Sequence, residues 1–280
     1  MMQITDAVAD AKLAAWQKVL KEGHAGHKAL RHVMRYVPGT PRCKICLNPF
    51  GGFGGRVCRT LGFRRSKKNP NICELCCEKM PLGGAEIETA ILFADIRGST
   101  GLAERLGPVR FAGMLNRFYA TATGVLVRHD ATIDKLIGDE VMAFFIPGFA
   151  GPDFKSAAVF AARDIMRELG YGAAAEPWLP VGIGIEVGTA FVGNVGREDY
   201  YDFTALGDPV NVAARIQAAA APGEILVGEK AFLAVADRFP HSEVRWLDVA
   251  GRSEPVAVHS IRLAPDSQPI NVVQDAQRMD

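Results

Sequence analysis

The sequence contains no run of eighteen or more apolar residues, although hydrophobic residues make up 49% of its 280 positions. A membrane-spanning helix is therefore not expected, because crossing a bilayer takes about 20 consecutive apolar residues. The first twelve residues, MMQITDAVADAK, also lack the basic and then apolar blocks of a secretory signal. These absences predict a cytoplasmic protein, and the chain is long enough for one full-sized domain and a smaller one.

The net charge is only +1, but the two parts of the chain carry opposite net charges. Residues 1–84 carry fifteen Lys and Arg against five Asp and Glu, whereas residues 85–280 carry seventeen against twenty-six. Either the front part binds an anionic partner or the two parts attract each other. The basic run RRSKK at 64–68 has no aromatic neighbour except Phe63, so nucleic-acid binding is not expected.

No cysteine occurs outside residues 43–77, a segment also rich in glycine and proline. Two CxxC pairs are present, separated by twenty-six residues: Cys43 with Cys46, and Cys73 with Cys76. In a cytoplasmic chain this spacing favours metal ligation over disulfides. Four thiolates suit tetrahedral Zn²⁺, which would supply the folding energy that a loop-rich segment lacks. The additional Cys58 and Cys77 leave an iron–sulfur cluster open as an alternative, and free or redox-active thiols as a third.

The patterns divide the chain into four predicted parts. These are an N-terminal helical segment at 1–37, a cysteine-rich metal-binding domain at 38–85, an α+β domain at 86–264 and a flexible tail at 265–280. Gly23 and Gly26 are expected to split the N-terminal helix. The cysteine-rich part is interpreted either as a regulatory or dimerising module or as a purely structural zinc site.

The α+β part is predicted to follow the order β-α-β-β-α-β. The predicted elements are strands at 89–96, 132–137, 141–146 and 181–190, and helices at 108–128, 154–169 and 209–220. Between the two middle strands, Gly138-Asp139 suits a type II′ hairpin turn. The order is that of the ferredoxin-like motif, so the expected fold class is α+β with a ferredoxin-like core.

The motif FADIRGST at 93–100 places a carboxylate at the end of an apolar strand. Asp95 is followed by Gly98, Ser99 and Thr100, which mark the start of a helix. Free backbone N–H groups at such a start can hold a phosphate. The alternative is that Asp95 only caps the strand end.

The motif DKLIGDE at 134–140 places a second carboxylate, Asp139, at the tip of the predicted hairpin. Acids at a strand end and at a neighbouring hairpin tip can share Mg²⁺ ions, which prefer a few carboxylates together with substrate phosphates. Taken alone, Asp139 is better interpreted as a simple turn residue, since turns favour Asp.

In the motif FTALGDPVNVAAR at 203–215, Pro209 opens a helix. Asn211 and Arg215 are then one turn apart on the same face. Arg offers a fixed fork of donors for a phosphate whose charge grows during reaction, and Asn can donate to a ribose oxygen. An exposed Asn and a surface ion-pair Arg are the alternative interpretation.

Together, these three motifs resemble the catalytic domain of class III adenylyl and guanylyl cyclases, from about Glu86 to about Leu263. The resemblance implies two Mg²⁺ or Mn²⁺ ions per site. The implied roles are metal ligation by Asp95, Asp139 and the Ile96 carbonyl, orientation of the ribose by Asn211, and stabilisation of the reacting phosphate by Arg215. The candidate for a further phosphate-binding cation is Arg252.

The positions matching the family's purine-reading pair are Lys135 and Thr204. Lys can donate to N1 of adenine and Thr can accept from its N6 amine, whereas guanine presents the opposite pattern. The substrate implied is therefore ATP and the product cyclic AMP, with guanylyl or pyrimidine specificity as the alternative. Many cyclases carry Asp at the position of Thr204, and the departure resembles a subgroup in which some members respond to bicarbonate.

The resemblance also implies a two-fold homodimer in which each site draws on both subunits. One subunit would supply the metal ligands, and the other Lys135, Thr204, Asn211 and Arg215. A diguanylate cyclase is disfavoured, because IGDE at 137–140 lacks the second glycine of that family's hairpin. A non-catalytic nucleotide-sensing or DNA-binding regulator would have lost a metal aspartate or the Asn/Arg pair, and all four residues are present.

Overall fold

The computed structural model describes residues 2–23, 25–66, 71–79, 82–173, 176–197, 201–249 and 254–263. The expected tail at 265–280 and Arg252 lie outside these residues. Within them, no helix combines the length and the apolar character needed to cross a membrane.

The described helices are α1 (Met2–Glu22), α2 (Ala25–Met34), α3 (Gly52–Thr60), α4 (Glu74–Lys79), α5 (Ser99–Leu106), α6 (Pro108–Arg128), α7 (Pro147–Ala150), α8 (Phe154–Glu168), α9 (Asp208–Ala219) and α10 (Glu229–Phe232). The strands are β1 (Gly83–Ile96), β2 (Thr132–Ile137), β3 (Glu140–Phe145), β4 (Val181–Gly196), β5 (Tyr201–Leu206), β6 (Glu224–Gly228), β7 (Glu243–Leu247) and β8 (Val256–Arg262). The predicted break in the N-terminal helix is confirmed at Gly23, whose φ is +67° and which directly follows α1. Gly26 does not contribute to the break, because it lies inside α2.

The sheet has the strand order β2-β3-β1-β4-β6-β8-β7, with β5 paired to β4. Its first four strands are antiparallel neighbours, which is the ferredoxin-like arrangement that the sequence predicts. β6 then adds parallel to β4 after the crossover through α9. The strand β5 and the last three strands extend the sheet beyond the predicted motif.

Both faces of the sheet are buried at its central strand β1, whose side chains alternate between two apolar clusters. Leu92 and Ala94 point into a core formed with α6 and α8. Ile91 and Phe93 point to the opposite face, into a second core. This explains why β1 appears in the sequence as a continuous apolar run.

The second core is shared between the sheet and the N-terminal part of the chain. It contains Trp16 of α1, Ile45 and Ile72 of the cysteine-rich segment, and Phe203 of β5. The rings of Trp16 and Phe203 stack at 6.3 Å between centroids. The cysteine-rich segment therefore buries apolar residues against the sheet and not only against itself.

The four-part division of the chain stays a prediction. Strand β1 crosses one of the predicted boundaries, because it begins at Gly83, three residues before the expected start of the α+β part at 86. Gly83 and Gly84 pair with Asn194 and Gly193 of β4, so the sheet already includes the end of the cysteine-rich part.

Helix α9 packs closely on β4 because glycines leave room for it. A Cβ atom at Gly184 would lie 2.2 Å from the backbone nitrogen of Gln217, and one at Gly188 would lie 2.5 Å from the Pro209 ring. This approach fixes the position of α9, on which Asn211 and Arg215 lie.

We predict that Gly184→Ala lowers the free energy of unfolding by about 1–3 kcal/mol, because the added methyl group collides with backbone that cannot rotate away. Gly113→Ala on α6 is the matched control, since its added Cβ meets nothing within 4 Å. We expect this control to be stabilising by up to about 1 kcal/mol, through helix propensity. Urea denaturation midpoints measure both, and a Gly184→Ala midpoint equal to that of the wild type would contradict the packing argument.

Candidate active site

Three carboxylates converge where β1 meets the β2–β3 hairpin. Asp95, next to the end of β1, pairs in register with Glu140, the first residue of β3. Asp139 lies at the hairpin tip, directly before Glu140. Like charges on directly opposed residues destabilise a sheet, so this edge of the sheet favours a bound cation.

Burial and this crowding both affect the ionisation of Asp95. Burial raises the pKa of Asp95 to about 6, Arg97 opposes the shift, and the charge of Asp139 together with a hydrogen bond to it adds to it. The pKa of Glu140 is also raised, first by burial and then by Asp95 and Asp139. The guanidinium of Arg97 forms an ion pair with the Asp95 carboxylate.

The hairpin tip is held by a residue that the sequence did not single out. Gly138 has φ of +60°, and the Tyr119 hydroxyl on α6 donates a hydrogen bond to its carbonyl oxygen. Burial raises the pKa of Tyr119, and the charge of Asp139 adds to this effect. Tyr119 therefore anchors the loop that carries the second carboxylate.

The expected helix start follows the first carboxylate. Gly98 adopts a left-handed conformation with φ of +68°, and α5 begins at Ser99, followed by Thr100. Ile96 is the last residue of β1 and is buried. The first-turn N–H groups of α5 thus lie within a few residues of Asp95, as a phosphate-binding helix start requires.

The two residues matching a purine-reading pair are neighbours. The Nζ atom of Lys135 on β2 lies 3.4 Å from Oγ1 of Thr204 on β5. The Thr204 hydroxyl donates to Oδ2 of Asp134 at 2.7 Å. Thr204 is 5% exposed and Asp134 3% exposed, so both residues are almost fully shielded from solvent.

Asn211 and Arg215 lie on the exposed face of α9, while Pro209, Val212 and Ala213 pack inward. Within the described residues, neither side chain has a hydrogen-bond or ion-pair partner. The structure thus brings Asp95 and Asp139 together, brings Lys135 and Thr204 together, and leaves the Asn/Arg pair facing solvent.

A family comparison agrees with these features. The family described as "Adenylate and Guanylate cyclase catalytic domain" matches residues 85–261. The chain belongs to the class III adenylyl/guanylyl cyclase family. Its α+β part is a nucleotidyl cyclase catalytic domain, and class III cyclases use Mg²⁺ or Mn²⁺.

Solved cyclase structures of both base specificities resemble the chain. The adenylyl cyclase CyaB from P. aeruginosa is 29% identical, with a TM-score of 0.55 over 66% of this chain and 96% of that one. The guanylyl cyclase Cya2 is 28% identical, with a TM-score of 0.55 over 68% of this chain and 98% of that one.

Among curated proteins, an uncharacterized protein of Mycobacterium tuberculosis, Rv1318c, is 33% identical over 183 residues. The match covers 64% of this chain and 33% of the relative. A second, Rv1319c, is 36% identical over 139 residues, which is 50% of this chain and 25% of the relative. The matches therefore span a third or less of the length of these curated relatives.

Outside the cyclase domain, Cys43, Cys46, Cys73 and Cys76 form a compact buried cluster. Their four Sγ atoms all lie within 4.8 Å of one another. The Sγ atoms of Cys46 and Cys73 are 3.7 Å apart, close to the spacing of about 3.8 Å between sulfurs bound to one tetrahedral Zn²⁺ at 2.3 Å. The backbone N–H of Cys73 points at Sγ of Cys43, at 3.3 Å. The cluster could hold one metal ion.

The cluster concentrates negative charge that a cation would offset. Burial raises the pKa of the Cys43 thiol, but hydrogen bonds from the other three cysteines outweigh it and bring that pKa well below the usual range. Hydrogen bonds to Cys43 and its charge raise the pKa of Cys46 and of Cys76. Metal binding would deprotonate the four thiols and offset the charge of the resulting thiolates.

The two additional cysteines stand apart from these four. Cys58 is buried with Met34, Leu47 and Val127 in a separate apolar cluster, and its Sγ lies 4.0 Å from the Met34 sulfur. The side chain of Cys77 lies outside the described residues.

Proposed function

We propose that the protein is an adenylate cyclase that converts ATP to 3′,5′-cyclic AMP and pyrophosphate. The observation that supports adenine as the base is the pairing of Lys135 with Thr204 at 3.4 Å. The ammonium group can donate to N1 of adenine while the hydroxyl oxygen accepts from the N6 amine. Guanine reverses both patterns, so it would face a donor with a donor at N1.

The reaction is an in-line attack of the ribose 3′-oxygen on the α-phosphate. Asp95 and Asp139 fit a pair of divalent ions, because they are crowded carboxylates whose mutual repulsion a cation relieves. Two Mg²⁺ or Mn²⁺ ions bound there would lower the pKa of the 3′-hydroxyl and offset the triphosphate charge. The N–H groups at Gly98, Ser99 and Thr100 bind the phosphates; the Ile96 carbonyl is the additional proposed ligand.

Asn211 orients the ribose and Arg215 stabilises the charge that grows on the reacting phosphate. Both are exposed on one subunit, which supports a two-fold homodimer in which α9 of one chain closes over the carboxylates of its partner. Arg252 is proposed as a further cation that binds the phosphates.

We predict that the full chain forms cyclic AMP from ATP with a higher kcat/KM than it shows for GTP, CTP or UTP. Lys135→Glu should lower kcat/KM for ATP at least about tenfold and raise it for GTP, because the carboxylate accepts from N1 of guanine. The charge-matched control is Lys230→Glu on the exposed side of α10, expected to change neither. A wild type that prefers GTP would replace the adenylyl assignment with a guanylyl one.

We predict that mixing the inactive variants Asp95→Ala and Asn211→Ala restores activity. Random mixing makes half of the dimers mixed, each with one intact site, so about one quarter of the wild-type activity should return. The control is Asp95→Ala mixed with Asp139→Ala, which leaves every site broken because both residues belong to the same half-site. Differently tagged subunits report heterodimer formation; persistent inactivity despite it would refute the shared site.

We also propose that the four-cysteine cluster holds one Zn²⁺ and that the N-terminal part regulates the cyclase domain. Sγ atoms within 4.8 Å of one another suit a single ion better than an iron–sulfur cluster, in which the cysteines bind separate irons. The shared core beneath the sheet supports a regulatory role, because the four cysteines and Phe203 of β5 belong to the same buried apolar cluster.

We predict that the purified protein is colourless and contains one zinc per chain by elemental analysis. Cys46→Ser should lose the metal, whereas Cys58→Ser, which changes a cysteine outside the cluster, should retain it. A brown protein that bleaches on reduction would show an iron–sulfur cluster instead.

A further inference from the structure

A buried lysine of the cysteine-rich segment reaches into the cyclase domain. Lys44 follows the first cysteine of the cluster, and its side chain is only 5% exposed. The turn that carries it is fixed on both sides, because the N–H of Lys44 donates to the Asn71 carbonyl at 2.9 Å and the N–H of Cys43 donates to the Asn48 carbonyl at 2.8 Å. An ammonium group this buried requires partners for its charge and its three protons.

The partners all belong to the cyclase domain. Nζ of Lys44 donates to Oδ1 of Asp202 at 2.8 Å, to the Phe203 carbonyl at 3.2 Å and to Oδ1 of Asp134 at 3.3 Å. Two of these acceptors directly precede Thr204 on β5, and the third precedes Lys135 on β2. One buried ammonium thus connects the two strands that carry the purine-reading pair.

Asp134 links Lys44 to both members of that pair. It is the extra residue of a β-bulge, since the pairing of β2 with β3 shifts between Ile133 and Lys135, and bulges redirect side chains. Its Oδ2 atom accepts from the Thr204 hydroxyl at 2.7 Å and lies 3.3 Å from Nζ of Lys135. Lys135 is 39% exposed at its side chain, so Lys44 is the buried counter-ion of this carboxylate.

The hydrogen bond from Thr204 to Asp134 decides whether the Thr204 hydroxyl can donate to the base or only accept from it. A carboxylate only accepts hydrogen bonds, so the single proton of the Thr204 hydroxyl points at Asp134. The other acceptor near this hydroxyl, the Ala205 carbonyl, is 3.5 Å away and competes poorly. The Thr204 oxygen can therefore only accept a hydrogen bond from the base. This suits the N6 amine of adenine and not the O6 carbonyl of guanine.

A second buried cation ties the backbone around Lys44 to the start of β2. Arg31 is 1% exposed, and its guanidinium donates to the carbonyls of Lys44 and Ile45. The same group donates to the carbonyl of Asp130 at 2.6 Å and to that of Ala131 at 3.2 Å. Arg31 therefore connects the backbone of the cysteine-rich turn to the residues directly before the strand that carries Asp134 and Lys135.

We propose that Lys44, acting through Asp134, is a positioning residue that fixes the Thr204 hydroxyl as an acceptor and leaves Lys135 available to the base. The cysteine-rich segment thereby contributes to the selection of adenine over guanine. The proposal rests on the proposed function in one respect: it takes Lys135 and Thr204 to be the residues that contact the base.

The test compares the full-length, metal-loaded wild type with Lys44→Met and Asp134→Asn. Lys44→Met removes the buried counter-ion, so Lys135 is drawn onto Asp134 and away from N1 of the base. In Asp134→Asn, the amide oxygen still accepts from Lys44 and the amide NH₂ faces Thr204. The Thr204 proton is then free to donate to O6 of guanine.

Two readouts are needed for each protein. The first is kcat and KM for ATP and GTP. The second is the equilibrium dissociation constant of 3′-deoxy-ATP and 3′-deoxy-GTP by calorimetry, since nucleotides without the 3′-hydroxyl cannot be cyclised. The matched control is Lys155→Met, which removes an ion pair of 2.8 Å to Glu88 on other elements of the cyclase domain.

For Lys44→Met we expect KM for ATP and Kd for 3′-deoxy-ATP to rise about tenfold, with the wild-type metal content retained. For Asp134→Asn we expect the ATP-to-GTP ratio of kcat/KM, and the matching ratio of affinities, to fall at least about tenfold. The control should leave both ratios unchanged.

Equal losses for both nucleotides, or unchanged ratios in both variants, would overturn the proposal and leave the buried charges a purely structural role. If Lys44→Met does not fold, the near-isosteric Asp134→Asn decides alone. A wild type without cyclase activity would refute the proposed function instead, while the affinities for the two deoxynucleotides would still decide this inference.

Discussion

The repulsion among Asp95, Asp139 and Glu140 is the constraint on which the rest of the site depends. The antiparallel register of β1 with β3 places Asp95 opposite Glu140, and the type of turn places Asp139 beside them. Such a cluster is unfavourable unless a cation lies within it. Arg97 partly meets this need through its ion pair with Asp95, and the pKa of Asp95 stays raised, first by burial and then by the charge of Asp139. The sheet keeps the carboxylates together because its two apolar cores hold β1 and β3 in place.

Three cations of the first part of the chain form ion pairs with carboxylates of the second part. Arg31 and Arg35 both pair with Asp130, and Lys44 pairs with Asp134 and Asp202. Of the two interpretations of the charge split, these contacts support attraction between the parts. Buried ion pairs of this kind specify one geometry more than they stabilise it, because desolvation offsets much of the attraction. Their effect here is to fix the cysteine-rich turn against the strands that carry Lys135 and Thr204.

The two halves of the site differ in how complete they are within one chain. The carboxylates and the Lys135–Thr204 pair are supported by the chain's own contacts, whereas Asn211 and Arg215 project from α9 without partners in the described residues. Close packing of α9 on Gly184 and Gly188 holds this exposed face at a defined height above the sheet. A surface that is rigidly supported yet unpartnered suits contact with a nucleotide and a second subunit.

The sequence by itself determined the elements whose signals are local. Helix α6 and strand β2 begin and end where periodicity, Pro108 and the Gly138 turn predict, and the motifs located both carboxylates and the four cysteines. It did not reveal β5, because the apolar residues of this strand directly precede α9 in a motif whose clearest signal is the start of that helix. It also did not reveal the roles of Tyr119, Arg31 and Lys44. Only the tertiary structure decided these, because Lys44 meets Asp134 across 90 residues and Asp202 across 158. No periodicity or turn preference encodes such pairs, and a single-residue bulge at Asp134 sets the direction of the side chain that joins them.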